Sequence, residues 1–445
     1  MTGLSAALVG FSLNAVAQEI PADFDLDAAN NNFAEFFDDG LYDQAAVAAT
    51  QALWTARINF GEESIEAALA QVNLANAQQK TGDHAAAIDS YEKSIRRLEA
   101  VEGIVSPKLV NPLMGLAASQ NAMGAYDRGL ITYQRALRLN HVDNGLYNEA
   151  QLPIRDGLTE TYLALGDKSD ADFQQEIQVV IMQQEYGNNT DKVLPAMYKL
   201  ANWYQRSNQP DKQAYQYQKA VQLIREETFK NNPDQIQALR ELSKTYYRMN
   251  MPSESMRLLK QSYRLNAEAA EPDPLLAADI NVQIGDFYNL FGSPKDASKH
   301  YKMAWNTLSG IEGQDSLLEE YFGRPVFLEG PVLPDVYPAK TSMARMYMEN
   351  PQMFGEGYLM AEYDVDDRGR VENVRIIESD PPSLMDRRMR SSLARQRYRP
   401  KIVNGEMASA EGERLTHNFN YELGADKREQ KQEKLMRPGQ LMLNP

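Results

Sequence analysis

The stretch IGDFYNLFGSPKDASKHYKMA, residues 284–304, decides the fold of most of this chain. It sets an aliphatic and a small residue, an aromatic, a turn glycine, a second small residue and a second aromatic in fixed order: Ile284, Gly285, Tyr288, Gly292, Ala297 and Tyr301. Apolar residues at helical spacing on both sides of Gly292 predict two helices. Because glycine tolerates the left-handed backbone that ends a helix, Gly292 marks the turn of a predicted helical hairpin.

The same order of residues recurs at steps of 42 along the chain, without an insertion. The turn positions that share this register are Gly40, Gly82, Gly124, Gly166, Asn208, Asn250 and Gly292. A single hairpin cannot bury its apolar face, so consecutive hairpins must stack on one another. The sequence therefore predicts an α-solenoid of seven helical hairpins over residues 30–311.

This residue order resembles the tetratricopeptide repeat (TPR), whose signature is Leu-Gly-x-x-Tyr followed by Ala-x-x-x-Phe. The common repeat has about 34 residues, and about eight more residues lengthen a hairpin by roughly two helical turns. Long-helix repeats of kinesin light chains look similar. The resemblance implies a scaffold that binds proteins or peptides in a groove lined by the first helix of each hairpin. The family's repeat-ending proline is absent, and most units lack its tryptophan.

The composition changes after Gly313, where a second domain is predicted. The prolines between Pro325 and Pro338 cannot lie inside a helix, and residues 312–333 are predicted to be a Pro-rich linker. Further on, alternating apolar residues predict strands and a stripe at helical spacing predicts a helix. In chain order, the predicted elements are a strand over 357–365, a turn at 366–369, a strand over 371–377, a helix from Leu384 that ends at Tyr398-Arg399-Pro400, and a strand over 414–423.

This β-hairpin, helix and strand resemble the C-terminal domain of TonB-type energy transducers. The resemblance rests on GRVENV (369–374), RYRP (397–400) and NGE (404–406) at matching intervals, and the domain it outlines covers residues 334–424. It implies a small α+β domain that contacts outer-membrane receptors from the periplasm of a Gram-negative bacterium. Domains of this family pair an exposed strand edge with an extended segment of the partner.

The last strand is the predicted binding edge of this domain. Polar residues and flanking charges are typical of an edge that is guarded against aggregation. The candidate partner-binding residues on this strand are Thr416, Asn418 and Asn420. Its other face is predicted to pack on the buried stripe of the helix, formed by Met385, Met389 and Leu393.

A basic stripe lies on the first helices of two consecutive hairpins. By the repeat register it occupies the rows that face the groove in TPR proteins: Lys199, Asn202, Arg206, Arg240, Lys244 and Arg248. Such a stripe is suited to clamping the carboxylates of a peptide. The alternative is a solvated face with ion pairs inside each helix. A second basic cluster contacts the acidic array, an anionic glycan or a receptor, or is instead a solvated helix face; it comprises Arg387, Arg388, Arg390, Arg395, Arg397, Arg399 and Lys401.

Charge and residue usage argue against catalysis and against nucleic acid as a partner. The formal net charge is −16, nearly all of it before Gly323, which disfavours binding to DNA or anionic membranes. No Gly-rich phosphate loop and no motif of a zinc or serine hydrolase occurs. The chain has no cysteine, and its widely separated histidines are His84, His141, His300 and His417. We therefore expect a non-enzymatic protein without a metal site or a cofactor.

The two ends of the chain carry the expectations about its location. Residues 1–17 are uncharged and end in Ala15-Val16-Ala17, the small-residue pattern of a cleaved signal peptide. The alternatives are a buried N-terminal helix, or a membrane anchor if translation begins upstream. Residues 425–445 are predicted to be a charged, disordered tail.

The sequence thus favours a periplasmic adaptor that binds proteins or peptides through the array and through the second domain. Its candidate partners are a TonB-dependent outer-membrane receptor and motor subunits. The alternative is a TonB-type energy transducer variant that takes part in TonB-dependent transport across the outer membrane. A transducer keeps an uncleaved membrane helix, so N-terminal sequencing separates the two hypotheses: a start at Gln18 is expected for the adaptor.

Overall fold

The computed structural model describes residues 25–227, 233–313, 315–338 and 340–423. Two compact units divide the chain, Met1–Leu223 and Ile224–Pro445. The predicted signal peptide and the predicted tail lie outside the described residues.

The first unit consists of α-helices joined by short turns. They are α1 (Leu26–Asp38), α2 (Tyr42–Phe60), α3 (Ile65–Lys80), α4 (His84–Glu102), α5 (Val110–Ala122), α6 (Tyr126–Asn144), α7 (Leu152–Leu165), α8 (Lys168–Tyr186), α9 (Thr190–Arg206) and α10 (Pro210–Glu227), within which the second unit begins. The array continues in the second unit with α11 (Pro233–Arg248), α12 (Pro252–Ala267), α13 (Pro274–Leu290) and α14 (Pro294–Ser309). Across the described part of 26–309 there is no strand, which agrees with the predicted solenoid.

Every predicted turn residue of the array has a left-handed backbone. The φ angle is +74° at Gly40, +84° at Gly82 and Gly292, and +58° at Asn250. At Gly82 the turn is closed by the Asp83 N–H, which donates to the Gln78 carbonyl at 2.9 Å. Glycine has no Cβ to clash in this conformation, and asparagine tolerates it. The predicted hairpins with their 42-residue period are therefore confirmed.

The second helices end at a further series of glycines that the sequence analysis missed. Each has a positive φ angle: Gly61, Gly103, Gly145, Gly187 and Gly313. The first four are 42 residues apart and the last follows after three more steps, so the signal was present in the same register. These residues allow the chain to leave the second helix and begin the next hairpin.

Glycines inside first helices allow tyrosines of the preceding hairpin to pack closely. A Cβ atom at Gly115 would lie 2.2 Å from Cζ of Tyr91, and one at Gly157 would lie 2.2 Å from Cζ of Tyr133. Both tyrosines are buried, and burial raises the pKa of Tyr133 to about 12. The core of the first unit is thus shared between neighbouring hairpins, as stacking requires.

The C-terminal domain contains a mixed sheet with the strand order β2-β8-β3-β4. Its elements are α15 (Asp315–Phe322), β1 (Val326–Glu329), β2 (Val336–Tyr337), α16 (Thr341–Glu349), β3 (Phe354–Val365), β4 (Val371–Asp380), α17 (Asp386–Leu393), β5 (Arg397–Arg399), β6 (Lys401–Val403), β7 (Glu406–Ala408) and β8 (Ala410–Glu422). The predicted β-hairpin is β3–β4, and Gly369 in its turn has a φ angle of +74°.

Two segments of this domain differ from the sequence expectations. Residues 312–333, expected to be a linker, contain α15 and β1, and β1 pairs with β5. The predicted helix end at Tyr398-Arg399-Pro400 is wrong, because α17 ends at Leu393 and β5 follows it. Prolines exclude a helix interior but permit short extended strands beside them.

The predicted packing of helix on sheet is present. Met385, Met389 and Leu393 are buried in one cluster with Leu359 of β3 and Phe419 of β8. The apolar stripe of α17 and the alternating residues of the strands therefore form the core of the domain.

Candidate functional site

The outer side of β8 is the candidate binding edge. β8 pairs antiparallel with β3 from Phe354↔Glu422 to Glu362↔Arg414. On its other side, the two residues of β2 pair in parallel with Asn420 and Tyr421. β8 is therefore an edge strand only where β2 does not reach it.

Asn420 does not offer a free main-chain donor. Its N–H donates to the carbonyl of Asp335 at 2.7 Å, and the residue is half-buried. Asn420 stays a predicted partner-binding residue, but β2 occupies its main-chain side, so an added strand cannot pair there. Alternation of side chains identifies a strand, but it does not show which segment lies beside that strand.

Residues 414–418 form the remaining part of this edge, which we call the open edge. No strand in the described part of the chain pairs with it on the side away from β3. Alternate residues of a strand direct their N–H groups to the same side. The N–H groups of Arg414, Thr416 and Asn418 therefore face the same side as that of Asn420, and all three side chains are exposed.

His417 lies on the other face of the open edge and fixes the strand to the domain. Its Nε2 atom is 3.1 Å from the carbonyl oxygen of Pro334, and its ring stacks on Phe419 with 6.1 Å between the ring centroids. The candidate residues Thr416 and Asn418 thus lie on a strand that His417 fixes to the domain on one face, while their own side chains are exposed on the other face.

The first half of the basic stripe lies on α9, in the first unit. The Nζ atom of Lys199 is 2.6 Å from both carboxylate oxygens of Asp156 on α7 and 2.9 Å from Oε1 of Gln178. Asn202 is exposed, and the guanidinium of Arg206 lies 5.8 Å from the ring centroid of Trp203. Lys199 is therefore already neutralised by a neighbouring hairpin.

The second half of the stripe lies on α11, in the second unit. Arg240 forms an ion pair with Asp279 of α13, and Nζ of Lys244 is 2.7 Å from Oε1 of Glu241. Arg248 is exposed at the end of the helix. A peptide carboxylate would have to compete with these pairs, of which Lys244–Glu241 lies inside one helix, as in the alternative interpretation, whereas Arg240–Asp279 joins two helices.

A buried arginine joins the C-terminal domain to the last hairpin; the sequence allowed contact of the basic cluster with the array but did not single out Arg399 or its partner. Arg399 of β5 donates from Nε to Oδ1 of Asp286 at 2.8 Å and from Nη2 to Oδ2 at 2.7 Å. Its Nη1 donates to the carbonyl of Tyr321 at 2.9 Å, and the hydroxyl of Tyr301 donates to Oδ1 of Asp286 at 2.8 Å. We call these four residues the junction cluster.

The electrostatics of the junction cluster depend on burial. The side chain of Arg399 is 8% exposed and that of Asp286 is 16% exposed. Burial alone lowers the pKa of Arg399, but the hydrogen bonds and charge of Asp286 outweigh it, so the pKa of the guanidinium lies above its ordinary value. Burial, followed by the charge of Asp286, raises the pKa of Tyr301 well above 10. The cluster is thus a fixed ion pair with a neutral phenol.

Further contacts surround the junction cluster. Nδ2 of Asn289 donates to the carbonyl of Tyr398 at 2.8 Å. Ile402 of β6 is buried in one cluster with Tyr301 and Phe322. A Cβ atom at Gly369 would lie 1.7 Å from the carbonyl oxygen of Tyr398, so only glycine fits there. The C-terminal domain covers the last hairpin, as the terminal cap of a repeat array does.

The described residues contain no metal-binding group and no membrane-spanning helix. No cluster of three or more histidine, aspartate or glutamate side chains among them could hold a metal ion. In the same part of the chain, no helix has the length and apolar character that crossing a membrane requires.

Residues 351–423 match the family model of the Gram-negative bacterial TonB protein C-terminal domain. The match begins just before β3 and ends just after β8, so it includes β3, β4, β8, α17 and the open edge, but not β2. The chain combines a TPR-like repeat array with a TonB C-terminal domain. A comparison with curated protein sequences gives no match.

Solved structures with TPR repeats resemble the array. The nearly identical TPR-like repeats assigned to a kinesin light chain of Podosopora anserina are 16% identical, with a TM-score of 0.34 over 56% of this chain and 98% of theirs. YrrB, a TPR protein with an unusual peptide-binding site, is 15% identical, with a TM-score of 0.30 over 51% of this chain and 96% of its own. The assignment of the array rests on the hairpins themselves.

Proposed function

We propose that this protein is a non-enzymatic adaptor of the Gram-negative periplasm, which recruits an extended segment of an outer-membrane receptor to the open edge of its TonB C-terminal domain. The observation that carries this proposal is the free main-chain side of β8 at residues 414–418, inside the segment that matches the TonB family. Pairing with an added strand satisfies such donors and acceptors directly.

The array supplies a second binding region in this proposal. The exposed Asn202 and Arg206 are available without displacing an ion pair that the structure shows, whereas Arg240 and Lys244 each hold a carboxylate. We therefore assign the array's partner to Asn202 and Arg206 of α9, where an acidic peptide would not have to displace such a pair. This contact is expected to be weak, because an ion pair with an exposed cation contributes little.

The edge mechanism is tested by Asn418→Pro in the full chain. Proline removes the outward N–H of residue 418, so it should abolish binding of labelled peptides that span the periplasm-facing N-terminal segments of the organism's TonB-dependent receptors. Fluorescence anisotropy measures the binding. Asn418→Ser is the matched control and should change the affinity less than twofold, because the bonds are made by the main chain.

One result would contradict strand addition. If Asn418→Ser weakens binding as much as Asn418→Pro does, side chains carry the recognition and strand addition is the wrong mechanism. Circular dichroism of both variants shows whether the sheet is retained, since the N–H of Asn418 is not needed for pairing with β3.

The energy-transducer alternative shares the TonB C-terminal domain and differs at the N-terminus. Edman sequencing of the protein from the periplasmic fraction should begin at Gln18 for the adaptor. A membrane-embedded chain that retains Met1, together with proton-motive-force-dependent uptake through a receptor, would favour the transducer instead.

A further inference from the structure

A pocket of about 620 Å³ opens between α12, α13 and α14, and no residue of the open edge or of the junction cluster lines it. Its walls include Met256, Arg257, Lys260 and Arg264 of α12, Ile284 of α13 and His300 of α14. It therefore lies mainly on the second helices of two consecutive hairpins, whereas the predicted groove lies on the first helices.

The three cations of the pocket lack acidic partners. Arg257, Lys260 and Arg264 are exposed on one face of α12 and form no ion pair with any residue that the structure describes. The Nζ atom of Lys260 lies 5.6 Å from the ring centroid of Tyr288, and its charge acts on His300. In a chain with a net charge of −16, uncompensated cations in a concave site attract an anionic ligand.

The opposite wall of the pocket is held rigidly by His300. Nδ2 of Asn281 donates to the carbonyl of Ala277 at 2.9 Å, so Oδ1 of Asn281 accepts from Nδ1 of His300 at 2.8 Å. The ring of His300 also stacks on Tyr288, with 5.7 Å between the centroids. The contacts with Asn281 and Tyr288 fix the orientation of the His300 ring, and Nε2 is its second polar atom.

The local field at this wall is positive. Burial, together with the charges of Lys299 and Lys260, holds the pKa of His300 below its ordinary value, and Asp296 opposes them only in part. Burial is the larger cause of this shift and the two lysines add to it, so their charge would favour an anion beside His300.

The shape of the charge distribution selects between ligands. From Arg257 to Arg264 the helix rises by about 10 Å, so the three cations form a row that several anionic groups of one ligand can occupy. The pocket also contains Met256, Tyr263 and Ile284, which suit an apolar side chain. Several acidic groups spaced along an extended chain, with an apolar residue between them, fit both features.

We propose that this pocket binds an acidic and apolar peptide segment of a protein partner, with its carboxylates on Arg257, Lys260 and Arg264 and an apolar side chain against Met256 and Ile284. This site is independent of the open edge, so the protein would engage two partners at once. Charge complementarity in a partly enclosed site makes the contact sensitive to salt.

The test uses the full chain and a fluorescein-labelled 12-residue peptide of alternating acidic residues and leucine. Arg257→Glu with Lys260→Glu should weaken binding at least tenfold. The matched control is Arg128→Glu with Arg138→Glu on α6, two exposed arginines on a second helix of the first unit. These should leave the affinity within twofold.

Three outcomes would overturn the proposal. The first is equal loss of binding in the control pair, which would show non-specific attraction. The second is equally tight binding of a peptide with lysine in place of the acidic residues. The third is full competition by millimolar tripolyphosphate, which would identify a free phosphate ligand. If circular dichroism shows that the double charge reversal unfolds the protein, Arg257→Gln with Lys260→Gln is measured instead, and the same tenfold loss of affinity is expected.

Discussion

Two tyrosines at the same repeat position behave differently because of one neighbour. Tyr91 and Tyr301 are five steps of 42 residues apart, and both are fully buried. The hydroxyl of Tyr91 donates to Asn76 at 2.6 Å, and that of Tyr301 donates to Asp286 at 2.8 Å. Asp286 differs from Asn76 in that it also forms an ion pair with Arg399 of the C-terminal domain.

The difference between the two hairpins lies in the side chain that accepts the hydrogen bond from the tyrosine. An amide can accept from the tyrosine hydroxyl but cannot neutralise a guanidinium, while a carboxylate does both. With Asp286 at this repeat position, the last hairpin therefore accepts from Tyr301 and holds Arg399 as well. The buried Arg399 then requires that carboxylate, since an unpaired buried charge is costly.

The largest expected effect is the loss of this carboxylate. Asp286→Ala should lower the free energy of unfolding by about 3–5 kcal/mol, because it leaves the buried Arg399 without its partner. Asn76→Ala, at the equivalent position, removes one neutral hydrogen bond and should cost about 1 kcal/mol. Urea denaturation followed by circular dichroism measures both.

A second variant sharpens this prediction. Adding Arg399→Met to Asp286→Ala should restore most of the lost stability, since no buried charge then remains unpaired. Equal effects of Asp286→Ala and Asn76→Ala would contradict the distinction between the two hairpins.

Truncating a buried side chain should destabilise the protein both in the last hairpin and in an internal hairpin. Tyr301→Ala and Leu242→Ala should each lower the free energy of unfolding by roughly 2–5 kcal/mol, because both side chains are buried. A change below about half a kcal/mol at either position, measured by the same denaturation, would mean that the site is not packed as the structure shows.

The packing of the two tyrosines gives a smaller test. The ring of Tyr91 lies against Gly115 of the next hairpin, and that of Tyr301 lies against Gly285 of its own hairpin. Gly115→Ala should cost about 1–3 kcal/mol through overpacking, because the added methyl meets the ring of Tyr91. Combining it with Tyr91→Ala should remove most of that cost, and an additive result would show that the clash is not with Tyr91.

The smallest effect is expected at an asparagine turn. Asn250→Gly should change the free energy of unfolding by less than about 0.5 kcal/mol. The strain relieved at a φ angle of +58° is offset by the greater freedom of glycine in the unfolded chain. Asn250→Val should cost about 1–2 kcal/mol, because a β-branched residue is strained in this conformation.

The regular part of the molecule follows from the sequence because its information is local. Gly82 ends a helix, and a glycine or asparagine recurs there at every step of 42. Tyr91 fills the next gap, and its position holds tyrosine again at Tyr133, Tyr217 and Tyr301. Helical periodicity, turn residues and the need to stack are thus visible without knowing any distant contact. The β3–β4 hairpin and the buried stripe of α17 are equally local.

The tertiary structure decided what depends on distant segments. β2 lies beside Asn420 and leaves only 414–418 of β8 open, and β1 pairs with β5 from what the sequence predicted as a linker. Arg399 and Asp286 are 113 residues apart, and neither the basic cluster nor the repeat register indicates that they meet. Chain folding alone brings them together, and their burial then makes the pair obligatory, because removing one charge leaves the other unsolvated.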